Sequence, residues 1–327
     1  MSSEKLRGRR VFARTILNNL VWLIFVLCMG GFSSTIKGFF TFANYVNIVY
    51  HSVFIGTLAV AEAYILISGN IDLSVESTAA ASAILSVWLS ASSPYASGLH
   101  LNTWLSFALV MALGCIVGLI NGFFVLKLKI ESFLITLSTY IIIRAMAVWI
   151  TGGFGMNDLP AAFRFIDTTK LFMIPLMVYI MILLYLFFEF LLRSTRFGRH
   201  VYIIGGNVGA AYNFGIHVDW VLLRVFILSG VISAFTGWMM AARTNGATAG
   251  MGVGYLFEVL AAVVIGGVSL SGGVGSLVGV FAGSLILSSI HSALNITAVS
   301  PFVTGVIRGL LILVAVSLDA VKRMYKK

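Results

Sequence analysis

The 327 residues predict an all-α polytopic membrane protein of about ten transmembrane helices, some short or broken, with both termini cytoplasmic. Three observations carry this. Sixty per cent of the residues are hydrophobic, only 10% are charged and the mean hydropathy is +1.04, outside the balance of a soluble domain. Apolar windows recur at the length of about 20 residues that a helix needs to cross hydrocarbon, and the ten-residue alternating segments of a membrane β-barrel are absent. The basic residues gather at the ends of those windows, which makes the net charge of +10 a topology signal rather than a nucleic-acid footprint.

The windows fall at 15–33, 51–68, 72–92, 103–123, 131–151, 171–192, 219–242, 257–270, 275–294 and 301–320. The first follows a basic stretch, 1–14. It has the build of a signal peptide but no small-x-small cleavage site, so it reads as an uncleaved span. "GFFTFANYVNIVY", before the second, is too short and aromatic to cross and suits a helix lying at the interface. Fourteen Lys and Arg fall on one side: Lys5, Arg7, Arg9, Arg10, Arg14, Lys127, Lys129, Arg193, Arg196, Arg199, Lys322, Arg323, Lys326 and Lys327. The other side has four, Lys37, Arg164, Lys170 and Arg243. The positive-inside rule then puts both termini in the cytoplasm. A single transmembrane domain covers 1–327, with basic cytoplasmic ends 1–14 and 321–327 and a long cytoplasmic loop, 193–218. In that loop Asn207 is placed to cap a short helix, with Ala210 and Ala211 as helix formers and Gly215 as its stop. Val208, Tyr212 and Ile216 would share one side of it, whether resting on the membrane or docking a partner.

Two stretches interrupt the helical pattern. "YILISGNIDLSVEST", Tyr64 to Thr78, contains Gly69, Asn70, Asp72, Ser74 and Glu76. "VVIGGVSLSGGVGSLVG", Val263 to Gly279, contains Gly266, Gly267, Ser269, Ser271 and Gly272. Gly69 laid over Gly266 aligns Leu73 with Leu270 and Ser74 with Ser271, a faint parallel repeat. Such sequences let helices approach closely or unwind, and unwound backbone is tolerated in a membrane only under a cover of protein or water. Asp72 reads as the cap of the helix that follows, or as a ligand contact. Charges at depth mark pathways or internal pairs; Glu62, Glu258 and Asp319 are candidates, and Arg144 and Arg308 are the hardest to dismiss. A structural ion pair with a nearby carboxylate explains both arginines. Glu189 and Arg224, near span ends, can snorkel.

No phosphate-binding loop, zinc-protease, nucleophile-elbow or dinucleotide motif occurs. Cys28 and Cys115 are isolated and the five histidines are scattered, so no metal or cofactor site is expected in this chain and no enzymatic activity. A solute path lined by neutral polar groups and energy from another chain are the implied properties.

Four segments, "ISGNIDLSVES", "TRFGRHVYIIGGNVGAAYNFGIHV", "EVLAAVVIGGVSLSGGVGSLVGVFAGSLI" and "VIRGLLILVAV", together resemble the permease subunits of bacterial ABC importers of the ribose and related monosaccharide type. The resemblance implies an inner-membrane subunit that pairs with a second permease, identical or a sister chain. It also implies a cytoplasmic ABC ATPase and a periplasmic sugar-binding protein as partners, and alternating access as the mechanism. It places the ATPase contact on Gly205, Gly206, Asn207, Val208, Ala210, Ala211, Tyr212 and Gly215. Val208 and Gly209 stand where the family commonly has acidic residues, Glu76 stands where glycine is usual, and Asn70 is a milder variation. Glu76 either alters substrate preference or pairs with an arginine. A secondary transporter or channel working without an ATPase is the rival reading.

Overall fold

The computed structural model describes residues 20–300 and, beyond them, 302–307, 309–310, 313 and 317. Arg308 and Asp319 lie outside the described residues, as do both basic ends.

The chain runs α1 (Leu20–Thr35), α2 (Phe42–Ile67), α3 (Val75–Ser90), α4 (Thr103–Lys127), α5 (Ser132–Thr151), β1 (Met156–Asn157), α6 (Ala161–Thr168), β2 (Lys170–Leu171), β3 (Ile174–Pro175), α7 (Leu176–Ser194), α8 (Arg196–Gly206), α9 (Val208–Asn213), α10 (Val218–Thr244), β4 (Gly246–Ala247), α11 (Tyr255–Ile265) and α12 (Leu277–Ile296). Among the described residues, α2, α4, α5, α7, α10 and α12 are long and apolar enough to cross a membrane, and α1, α3 and α11 are shorter apolar helices. This is a polytopic helical membrane protein.

Four boundaries differ from the sequence reading, each for a tertiary reason. The aromatic stretch before residue 51 is not a separate interfacial helix. It forms the first turns of α2, whose 26 residues extend about 39 Å, and Phe39, Ile48 and Ala293 pack there into a small cluster of their own. The 257–270 window contains only the 11 residues of α11, about 16 Å of helix, too short to cross. The 72–92 window starts in a turn, and helix begins at Val75. The 171–192 window opens with the β2–β3 hairpin, in which Lys170 pairs with Pro175 and Leu171 with Ile174. A second ribbon, β1 with β4, joins the α5–α6 link to the end of α10.

α2 and α10 form the centre; from Ser52 to Ser68 every residue of α2 and its C-cap is buried. Glycines set the crossing of α4 and α10. A Cβ on Gly114 of α4 would lie 2.3 Å from the Gly230 carbonyl oxygen of α10, and one on Gly118 would lie 2.4 Å from that of Phe226. This small-xxx-small seam brings two backbones into contact where lipid provides no hydrophobic drive for association. The opposite faces of α4, α5 and α7 expose Phe123, Ile141, Ile142, Leu183 and Leu186, as lipid-facing helices do.

Candidate functional site

The two interruptions are real breaks, and they meet. Residues 68–74 separate α2 from α3, and residues 266–276 separate α11 from α12. The Gly273 N–H donates to the Ile67 carbonyl at 2.8 Å, joining one break to the other. The C-terminal end of α8 closes on both. A Cβ on Gly205 would stand 1.8 Å from the Ile67 oxygen and 2.7 Å from the Gly273 nitrogen. One on Gly272 would stand 2.6 Å from the Gly205 oxygen and 2.9 Å from the Gly69 Cα. Three stretches of backbone thus touch with no side chain between them. Gly206, the next residue, faces open space, with nothing within 4 Å of its Cβ position.

The first break is a run of turns and irregular chain between helices, and side chains satisfy part of its backbone, as freed groups inside a membrane require. The Ile71 N–H donates to Ser132 Oγ and the Leu73 N–H to Thr136 Oγ1, both at 3.1 Å. Asp72 does not cap α3 as expected; the cap position is Ser74, whose side chain makes no capping bond. Asp72 Oδ1 instead accepts from the Ser74 N–H at 2.9 Å and the Ser74 hydroxyl at 2.6 Å, an Asx turn, while Oδ2 accepts from Ser229 of α10 at 2.8 Å. Asn121 Nδ2 donates to Ser74 Oγ at 2.9 Å, and the Asn70 amide stays local, on Ser68. Glu62, on α2, is wholly buried with neither carboxylate oxygen hydrogen-bonded among the described residues.

Two carboxylates from other helices cap the helices around the second break. Gly254 and Ser276, at the cap positions of α11 and α12, provide no side-chain capping bond. Glu76 of α3 accepts from the Gly254 N–H at 3.1 Å and the Leu256 N–H at 2.9 Å, placing a negative charge on the N-terminus of α11. Its other oxygen is ion-paired with Arg144 of α5, whose Nη1 donates to the carbonyls of Ala249 and Met251 at 2.9 and 3.0 Å. The pair is buried, with 2% of the Glu76 and 15% of the Arg144 side chain exposed. Of the alternatives left open for Glu76, pairing with an arginine is the one found. Glu189 of α7, set aside as a snorkelling residue, accepts from the Leu277 N–H at 2.9 Å and is ion-paired with Arg193. Tyr202 of α8 donates to the Gly275 carbonyl at 2.8 Å. Burial first, then the nearby Glu189 carboxylate, push its phenol above the usual range, against the opposing Arg193, so it stays a neutral donor.

The remaining break residues do other work. Gly266 packs against the backbone of Gly279 and Val280, Gly267 faces open space, and Ser269 and Ser271 share a hydroxyl contact at 3.3 Å on the exposed edge of the loop. In the long loop, Asn207 caps α9 by accepting from the Ala210 N–H at 2.9 Å, and Gly215 ends it with φ +72°. Val208, Tyr212 and Phe214 are exposed while Ala211 is buried; Ile216 is also buried, so it leaves the face proposed for it. The eleven-residue α8 has no distinct sequence signal, because its apolar and basic residues resemble a span end.

A family model described as branched-chain amino acid transport system / permease component matches residues 44–316. The chain belongs to this family. Among curated relatives of the permease, the ribose import permease protein of Escherichia coli (strain K12) is 30% identical over 328 residues, 99% of this chain and all of the relative. The L-arabinose transport system permease protein of the same strain is 33% identical over 305 residues, 93% of this chain and 90% of the relative. A probable ABC transporter permease protein, also from that strain, is 36% identical over 301 residues, 87% and 84% of the two chains. No solved structure matches the chain.

Proposed function

We propose that this permease is the transmembrane subunit of an ATP-driven importer for a monosaccharide or similar small polyhydroxylated solute. The carrying observation is the meeting of both helix breaks with the end of α8. On this reading the chain is a multi-pass protein of the bacterial inner membrane whose basic 193–218 loop faces the cytoplasm, the orientation that the Lys and Arg bias favours. The α8–α9 segment then lies in the cytoplasm, and Val208 and Tyr212 offer an exposed apolar contact to a separate ABC ATPase that hydrolyses the ATP. A second permease subunit completes the pathway and a periplasmic binding protein delivers the sugar. Movement of α8 displaces Gly205, and with it Gly69 and Gly272, so that both breaks flex together and the bundle alternates between two openings.

The family description names branched-chain amino acids, whereas the ribose and arabinose relatives are named for sugars. The charges of Glu76 and Arg144 are buried against each other, so this pair is not free to engage a zwitterion, which favours a neutral solute. Uptake of labelled ribose, arabinose and leucine into proteoliposomes tests the reading. Sugar uptake should require ATP, the ATPase and the binding protein together. Uptake by this chain alone down a gradient would establish a secondary transporter or channel instead, and leucine uptake would reassign the substrate.

A further inference from the structure

Beside the α8–α9 segment lies a cavity of about 500 Å³ that the glycine junction does not use. It is an open surface pocket bordered by α8, the 214–217 link with Phe214, and the first turns of α10, its volume within the size range of pockets that hold small ligands. His200, His217 and Arg224 line it, and no acidic residue does. Asp219, the nearest acid in sequence, is taken by Lys129 at 3.7 Å and by the Tyr212 hydroxyl at 3.2 Å. An arginine fork flanked by two imidazoles is suited to phosphate oxygens, which a guanidinium can grip with two parallel bonds.

The cavity also has an apolar approach. Trp220, 62% exposed, lies one helical turn before Arg224. The same outer face of α10 continues through the half-exposed Leu228 and Val231. Arg224 sits six residues into α10, about 9 Å along it, where a guanidinium on a membrane helix turns back toward the headgroups. Tryptophan is enriched at that same level.

We propose that this cavity binds the phosphate of an anionic membrane phospholipid, gripped by Arg224, His200 and His217, with its acyl chains along the Trp220–Val231 face of α10. A free phosphate would satisfy the polar end and leave the apolar face unused; a lipid fits both. The bound headgroup bridges α8 and α10 and so sets the spacing beside the glycine junction.

Native mass spectrometry of the purified full chain, with phosphatidylglycerol, phosphatidylcholine or inorganic phosphate added, tests this. The wild type should retain phosphatidylglycerol in preference to phosphatidylcholine. Arg224→Gln combined with His217→Gln should weaken that retention about tenfold or more, the order expected for losing charge-assisted bonds. Arg224→Lys, which keeps the charge but not the fork, should fall between. Thermal melting without added lipid checks that the variants remain folded, and His200→Gln provides an independent variant if one does not. Equal retention of the two lipids, unchanged retention in the variants, or competition by inorganic phosphate at equal concentration would each overturn the assignment.

Discussion

Removing the Glu76 carboxylate would strand Arg144 between helices, left with the carbonyls of Ala249 and Met251, and would take the negative charge from the first amides of α11. Breaking a buried ion pair from one side costs about 3–5 kcal/mol, because the remaining charge is left uncompensated. Glu76→Gln and Arg144→Leu should each destabilise the permease by about that much. The double change Glu76→Gln/Arg144→Leu removes both charges, and the glutamine oxygen can still accept from α11. Its cost should therefore fall short of the sum of the singles by about 2 kcal/mol or more. Glu76→Gly adds a helix-propensity loss of about 1 kcal/mol and should be at least as destabilising as Glu76→Gln. Unfolding in mixed micelles, followed by emission of the six tryptophans, reads all of these. Additivity within about 0.5 kcal/mol would refute the coupling, and a Glu76→Gly variant as stable as wild type would show that the carboxylate caps nothing.

Neighbouring glycines offer a second contrast. Gly205→Ala forces a methyl into the Ile67 carbonyl and should abolish ATP-dependent uptake or folding, whereas Gly206→Ala, facing open space, should leave expression and melting near wild type. Asn207→Ala removes the α9 cap and should cost about 1 kcal/mol of local stability. It should lower co-purification with the ATPase while membrane insertion, read by protease protection, stays normal. Proline at Ala210 removes the N–H that Asn207 caps and should lower co-purification further. Glu189→Ala takes the acceptor from the first amide of α12 and should speed hydrogen exchange at 276–280 more than at the start of α11, which Glu76 still caps.

The α-helical membrane class, the two breaks and the Asn207 cap were legible in the sequence because each depends on local pattern: apolar length, small residues in series, and an asparagine before helix formers. The half-length of α11 was not, since an eleven-residue helix and a true span look alike when both are continuously apolar. The long α2 was hidden because its first turns carry the aromatic residues of an interface. Glu76 and Glu189 cap helices through amides that lie 178 and 88 positions further along the chain, at Gly254 and Leu277. No local spacing encodes such a contact, and for the same reason the meeting of Gly69, Gly205 and Gly272 became visible only once the helices were packed.

The claim that displacement of α8 reaches both breaks as one unit can be measured as a pair of distances. With Cys28 and Cys115 replaced by serine, spin labels at Asn213→Cys and Ser271→Cys report across the junction, and labels at Asn213→Cys and Trp104→Cys report along the bundle. Pulsed-resonance distances would be taken on the complex with its ATPase, nucleotide-free and trapped with ATP. The first distance should stay constant while the second changes by several ångströms. A shift in the first with the second unchanged would mean that α8 slides over the breaks without moving them, and would contradict the proposed coupling.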